Sequence, residues 1–253
     1  MSRQVVFQEA NRISFLDSRF YRSPETNIDY PSVTTILDAY PKEKYFYEWL
    51  KAQGGNADSI RDSAAESGSK VHQAIDDYNK GVEIFWANED GKAQYTLEEW
   101  KMFCKAMDFL KLSSVNMIAT EAAYVSDTLG YGGTIDCIAE IDGVLTLIDF
   151  KTSNYISDTH WIQLECYFRM FNEKNPHMAL TDFGILHLKA QTRGEDKKGK
   201  VIQGKGWQLK MRPEEKSHDH LWNLYKATRV LWEEMNGGGA RPLNQVFPSS
   251  FKK

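Results

Sequence analysis

Residues 133–151 read Gly133-Thr134-Ile135-Asp136-Cys137-Ile138-Ala139-Glu140-Ile141-Asp142-Gly143-Val144-Leu145-Thr146-Leu147-Ile148-Asp149-Phe150-Lys151, and the way this stretch pairs with itself decides the fold. Asp142-Gly143 lies between two β-prone runs, the signature of a two-residue type I′ hairpin turn. Ile141 then faces Val144, and paired residue numbers sum to 285, which puts Asp136 directly opposite Asp149. Strand side chains alternate, so Thr134, Asp136, Ile138, Leu147, Asp149 and Lys151 are expected on one face. Ile135, Cys137, Ala139, Ile148 and Phe150 make the other, an apolar core face.

Directly opposed residues have Cβ atoms roughly 4.5–5.5 Å apart, and like charges there destabilise unless something positive lies between them. A divalent cation resolves the conflict. Hard carboxylate oxygens suit Mg²⁺, which commonly takes one or two of them with waters and phosphate oxygens. Lys151 points into the same space, where its ammonium can orient an attacking water or stabilise negative charge on a phosphate. A bare Asp-x-Lys is also the ordinary pattern of a solvated face carrying an ion pair. What favours a site is the register, the apolar reverse face and the second aspartate together.

Outward from the hairpin, Met117–Val125 is a further strand, so a three-stranded antiparallel meander is expected with Thr134–Ile141 and Val144–Phe150. Upstream the pattern is mainly helical. Short apolar runs at Val5–Phe7 and Ile13–Phe15 suggest a small hairpin or extended lead-in, and Ser32 caps a short helix. Lys42–Lys51 reads as a second helix, carrying Tyr45, Phe46 and Trp49. Asp58 caps a long helix to about Lys80 that carries His72, and Thr96 with Glu99 makes a capping box for residues 97–112. Downstream, Asp158 caps a helix bearing Gln163 and Tyr167 on one face, with Asp182–Leu188 and Val201–Met211 as strands. Pro213 is expected to open a last helix that Gly237-Gly238-Gly239 closes. The organisation expected is an N-terminal helical portion (residues 1–115) packed on a core of sheet and helices (116–236), with a tail (237–253). The fold class is α/β (α+β), a central mixed sheet flanked by helices.

The 253 residues are 42% hydrophobic and 26% charged with a formal net charge of −4, so disordered, collagenous and membrane-spanning classes are excluded, and so is a surface that binds polyanions as a whole. A nucleic-acid site must be local. Between His187 and Arg212, eight Lys and Arg residues, Lys197 and Lys198 among them, face only Glu195 and Asp196, which suits either a phosphate contact or a solubilising sheet edge. The three cysteines, Cys104, Cys137 and Cys166, are scattered, supporting neither disulfides nor a zinc or iron–sulfur cluster. With no signal-peptide pattern, a cytoplasmic rather than secreted protein is expected.

Gly133-Thr134-Ile135-Asp136, then Ile148-Asp149-Phe150-Lys151-Thr152-Ser153, then Gln163-Leu164-Glu165-Cys166-Tyr167, in that order, resemble the PD-(D/E)XK nuclease superfamily and its RecB-type branch. Gly68-Ser69-Lys70-Val71-His72 is similar to that branch's helical Gly-x-x-x-His motif. Pro31-Ser32-Val33-Thr34-Thr35-Ile36-Leu37 and Leu147–Ser153 resemble the mitochondrial genome maintenance exonuclease family and its phage-encoded relatives, over roughly residues 30 to 235.

The resemblance implies a restriction-endonuclease-like core and a catalytic centre of Asp136, Asp149 and Lys151. It implies one or two Mg²⁺ or Mn²⁺ ions held with His72, the Phe150 backbone carbonyl and, on the preceding strand, Glu121. It also implies a substrate lining of Gln163 and Tyr167; Ser32 and Thr35 of the first motif, and Lys197 and Lys198 of the basic stretch, are further candidates for substrate contact. The expected activity is exonucleolytic cleavage of DNA, single-stranded or with free ends, in replication, recombination or repair, leaving 5′-phosphate and 3′-hydroxyl products. Alternatives are a non-catalytic DNA-binding or scaffold protein keeping the nuclease fold, and a structure-specific or CRISPR-adaptation endonuclease. The chain departs from parts of the family in lacking a four-cysteine iron–sulfur motif and a mitochondrial targeting segment, which points to a phage or bacterial source.

Overall fold

The computed structural model describes residues 10–15, 18–195 and 201–237. The meander forms as expected: β4 (Asn116–Ser126), β5 (Tyr131–Ile141) and β6 (Val144–Lys151) are consecutive antiparallel neighbours. Asp142 and Gly143 turn the chain at φ 50° and 78°, the type I′ signature, and the β5–β6 pairs from Ile141↔Val144 to Cys137↔Ile148 keep the expected register.

Next come α5 (Asp158–Lys174), β7 (Asp182–His187), β8 (Arg193–Glu195), β9 (Val201–Gln203), β10 (Gln208–Met211) and α6 (His218–Met235). Helix α5 carries the crossover that lets β7 run parallel to β6, and β10 pairs antiparallel on the far side, giving a five-stranded mixed sheet in the order β10-β7-β6-β5-β4. The N-terminal portion holds β1 (Asn11–Phe15), β2 (Ser18–Arg22), β3 (Asp29–Pro31), α1 (Val33–Leu37), α2 (Lys44–Gln53), α3 (Ala57–Asn79) and α4 (Leu97–Leu112). Its three strands form their own small sheet.

Both faces of the large sheet are core. Val33, Ile36 and Leu37 of α1, Ile162, Leu164 and Met170 of α5 and Leu221 of α6 pack with Ile138, Leu147 and Ile185. On the reverse, Val71 and Ile75 of α3 and Met102 and Phe109 of α4 pack with Cys137, Ile148, Phe150 and Leu186. The result is a mixed α/β fold, a sheet between two helical layers.

Several boundaries differ from the sequence reading. The last helix starts at His218, where the Ser217 hydroxyl accepts the His220 N–H, and Pro213 sits in the preceding turn. A serine at the cap satisfies an orphan donor; the proline only sets the approach. The expected strand at 201–211 is two, separated near Gly206, whose φ is 73°. Helix α3 begins one residue before Asp58 and is entered through a 3₁₀ turn at Gly54–Asn56. Val5–Phe7 and residues 240–253 lie outside the described residues.

Candidate active site

The β5–β6 pairing that is regular at the turn gives way at the far end of the same strands. Asp136 and Asp149 would be the next pair after Cys137↔Ile148. There the Asp136 carboxylate accepts the Phe150 backbone N–H at 2.8 Å, so a side chain bridges the strands. Alternation also slips. Ile135 packs with Ile138 and Leu147 in the α5 layer, although two-residue periodicity groups it with Cys137 and Ala139. On β4, Ala119 and Ala122, three apart, likewise share a layer. Between them Glu121 holds φ at 46°, a left-handed conformation that a glutamate rarely takes and that strain usually confines to functional sites.

Helix α3 fills this irregularity. His72 Nε2 lies 2.9 Å from the Phe150 carbonyl oxygen, and Nδ1 lies 3.3 Å from a Glu121 oxygen and 3.6 Å from Asp136 Oδ2. Ligand atoms of His72, Glu121 and Asp136 all fall within 4.8 Å of one another. One turn on, the buried Asp76 carboxylate accepts the Thr120 hydroxyl at 2.6 Å and Lys80 Nζ at 2.6 Å. Helix α3 therefore grips β4 at the residue before Glu121.

The other aspartate faces α5. Lys151 Nζ is 2.8 Å from Asp149 Oδ2 and 3.4 Å from Gln163 Oε1, while Gln163 Nε2 donates to the Tyr167 hydroxyl at 3.1 Å. The Lys151 contact is an ion pair outside hydrogen-bond angles, so buried Asp149 Oδ2 has no hydrogen-bond partner among the described residues. Gly133 makes room for the Tyr167 ring, which a Cβ at that position would strike.

The charges of the site are coupled. Burial pushes the Asp149 carboxyl up to about 6 even though Lys151 opposes the shift. Burial disfavours charge on Lys151 as well, but Asp149 and Asp136 outweigh it and raise the ammonium's pKa. For Asp136 burial is overcome by His72, which lowers the carboxyl. His72 is lifted well above its ordinary 6.5, since Asp136 and Glu121 more than offset its burial. An imidazolium between two carboxylates occupies the place where a cation would balance the same charge. A buried carboxylate, a carboxylate pair and an imidazole make a donor set that fits a hard divalent ion.

These groups line one cleft of about 590 Å³, together with Arg12, Arg19, Thr34, Lys42 and His160. The cleft thus gathers seven of the expected residues: His72, Glu121, Asp136, Asp149, Lys151, Gln163 and Tyr167, along with the backbone of Phe150. Ser32 and Thr35 do not line it. Ser32 caps α1 by accepting the Thr35 N–H at 3.0 Å, and Thr35 Oγ1 accepts the Arg19 N–H at 2.9 Å; Thr34, between them, is the one that reaches the cleft. Lys197 and Lys198 lie outside the described residues. Of the other cations between 187 and 212, Lys189 pairs with Glu98, Arg212 pairs with Asp182, and Lys205 covers Trp207. Arg12, Arg19, Lys42 and His160 were not singled out from the sequence, and no periodicity or motif marks them; they reach the cleft through tertiary placement alone.

The fold and site thus define a mixed-sheet α/β protein with an acidic, imidazole-containing cluster beside a half-buried lysine. No protein-family profile matches the chain, and no curated protein does. Among solved structures, a protein from Eubacterium rectale described as "Putative exonuclease" aligns over 88% of this chain and 89% of its own, with 13% identity and a TM-score of 0.43. No described helix is long and apolar enough to cross a membrane.

Proposed function

We propose that the chain is a metal-dependent nuclease that hydrolyses phosphodiester bonds of DNA, acting as an exonuclease on single-stranded ends in replication, recombination or repair. One observation carries the reading: His72, Glu121 and Asp136 converge where β5 and β6 part, and the Asp149–Lys151 pair lies in the same cleft. Mg²⁺ or Mn²⁺ held by Asp136 and Asp149 with His72 and Glu121 would supply Lewis acidity toward a phosphoryl oxygen and acidify a water.

The chain's own groups do the rest. Lys151 stays charged and is steered by Gln163, so its ammonium is available to hold a water or to offset charge gathering on phosphate. Asp136 is anchored by the Phe150 N–H, and the Phe150 carbonyl sets the His72 ring, so the acidic group is organised before substrate arrives. Arg12, Arg19 and Lys42 give the cleft cations suited to a phosphate backbone.

Oligonucleotides labelled at either end, single-stranded and duplex, test the proposal with Mg²⁺, with Mn²⁺ and with EDTA. Expected is end-dependent degradation of linear single strands that EDTA stops and that Asp149→Ala and Lys151→Ala abolish. Equal cutting of circular and linear strands would replace the exonuclease by an endonuclease. Binding without metal-stimulated cleavage would leave a non-catalytic DNA-binding protein.

A further inference from the structure

The first turn of α5 holds a cleft side chain that the reading above leaves unused. His160 Nδ1 accepts the Ser157 backbone N–H at 3.2 Å. A backbone N–H only donates, so Nδ1 carries no proton and the hydrogen of the neutral ring belongs to Nε2. The distal edge of the ring is therefore a donor. No hydrogen bond among the described residues uses it, and it is not sealed among the buried unpaired atoms.

The ring lines the cleft that holds Lys151, Gln163 and Arg19. Burial and the neighbouring Lys151 ammonium drive the imidazole down to about 2, so it stays neutral and its tautomer stays fixed. Gln163 commits its amide to Lys151 and Tyr167, whereas no hydrogen bond among the described residues engages the Nε2–H of His160 in the same cleft. A fixed neutral donor next to a fixed cation suits an anionic oxygen that needs both charge and direction.

We propose that His160 is a substrate-binding residue whose Nε2–H donates to a non-bridging phosphate oxygen of the strand in the cleft. The identity of the strand rests on the nuclease reading; the donor does not depend on bound metal.

Binding is measured in EDTA by anisotropy of a labelled single-stranded oligonucleotide, and cleavage separately with Mn²⁺. His160→Glu and His160→Gln both keep an acceptor for the Ser157 N–H, as N3 residues of a capping box do. A capping role alone would leave both variants binding like the parent. The expected result is that His160→Gln, which also offers an amide N–H, binds within about threefold, while His160→Ala weakens binding about tenfold and His160→Glu more. Replacing linkages one at a time by methylphosphonate is expected to weaken the parent at one linkage, and that penalty is expected to vanish in His160→Ala. The inference is overturned if His160→Glu binds as the parent does, or if His160→Gln falls as far as His160→Ala. A parent that neither binds nor cleaves the oligonucleotide would sink the nuclease reading instead.

Discussion

The two ends of the β5–β6 hairpin are built on opposite terms. At the turn, Asp142-Gly143 takes positive φ with residues suited to it, and five cross-strand pairs follow in unbroken register. At the other end Glu121 takes positive φ without being suited to it, the alternation of β4 and β5 slips, and a carboxylate does what a backbone carbonyl would do in a regular ladder. Regular pairing satisfies backbone groups and leaves side chains to the two core layers. Where it is interrupted, side chains from α3, β4, β5 and β6 can converge from both layers on one point. The hairpin holds the sheet together at one end and opens a polar site at the other.

The largest contrast between the ends should appear in activity. Lys151→Ala is expected to cut DNA cleavage by at least about 10³-fold, since it removes the ammonium proposed to act on the phosphate, with circular dichroism and chromatography unchanged. Gly143→Ala at the turn is expected to leave the rate unaltered. A smaller effect is expected from the hydroxyl through which α3 grips β4. Thr120→Val removes the Asp76 contact that holds β4 beside Glu121 and should weaken Mn²⁺ binding by about 10–100-fold, as loss of a group that positions a proposed metal ligand does. Thr120→Ser should restore it. Titration followed by Mn²⁺ electron paramagnetic resonance reads the difference without any turnover.

The regular end was legible because two-residue periodicity and one turn dipeptide determine it, down to its five cross-strand pairs. Asp149 and Lys151 were legible for the same reason, lying on the strand whose alternation stays regular. For Asp136 the geometry departs from the one that periodicity predicts. The reading put its side chain opposite that of Asp149, but the slip at Glu121 turns it toward the Phe150 N–H and His72. A left-handed glutamate has no signature in the sequence, and the Asp76 contact to its neighbour Thr120 comes from helix α3, outside the strand pattern. Ser32 and Thr35 show the converse: a stretch quoted for its family likeness is used for a helix cap. His160 carries no such mark in the sequence, since its tautomer depends on a backbone N–H that no pattern displays.

Proton binding separates the two ends as well. Asp149 ionises at about 6 in the folded protein against an ordinary 3.8, so the folded state holds that proton more tightly and metal-free stability falls as pH rises across that interval. His72 acts in the same sense higher up: its contribution is full below its ordinary 6.5 and is lost as pH climbs through the raised value. Melting temperature in EDTA should therefore decline from pH 4 to pH 6, and Asp149→Asn should flatten that limb. A divalent ion needs these groups deprotonated, so the thermal shift given by Mn²⁺ should grow with pH.

The smallest effect isolates backbone strain itself. At the turn, a Cβ on Gly143 would meet nothing within 4 Å, so Gly143→Ala tests only the positive φ and should cost about 1 kcal/mol in urea unfolding. At the site the matching experiment compares Glu121→Ala with Glu121→Gly. Both remove the carboxylate, so the loss of its interaction with His72 cancels in the difference, and both should lose the ion to the same degree. Only the glycine relieves the left-handed conformation at φ 46°, so it should be the more stable of the two by about 1 kcal/mol. Matching differences at the two positions would mean that the backbone is held as firmly at the site as at the turn. If the two Glu121 variants are instead equally stable, the alanine has let β4 relax into ordinary strand geometry. The strain would then depend on the glutamate side chain itself rather than on the grip of Asp76 and Thr120.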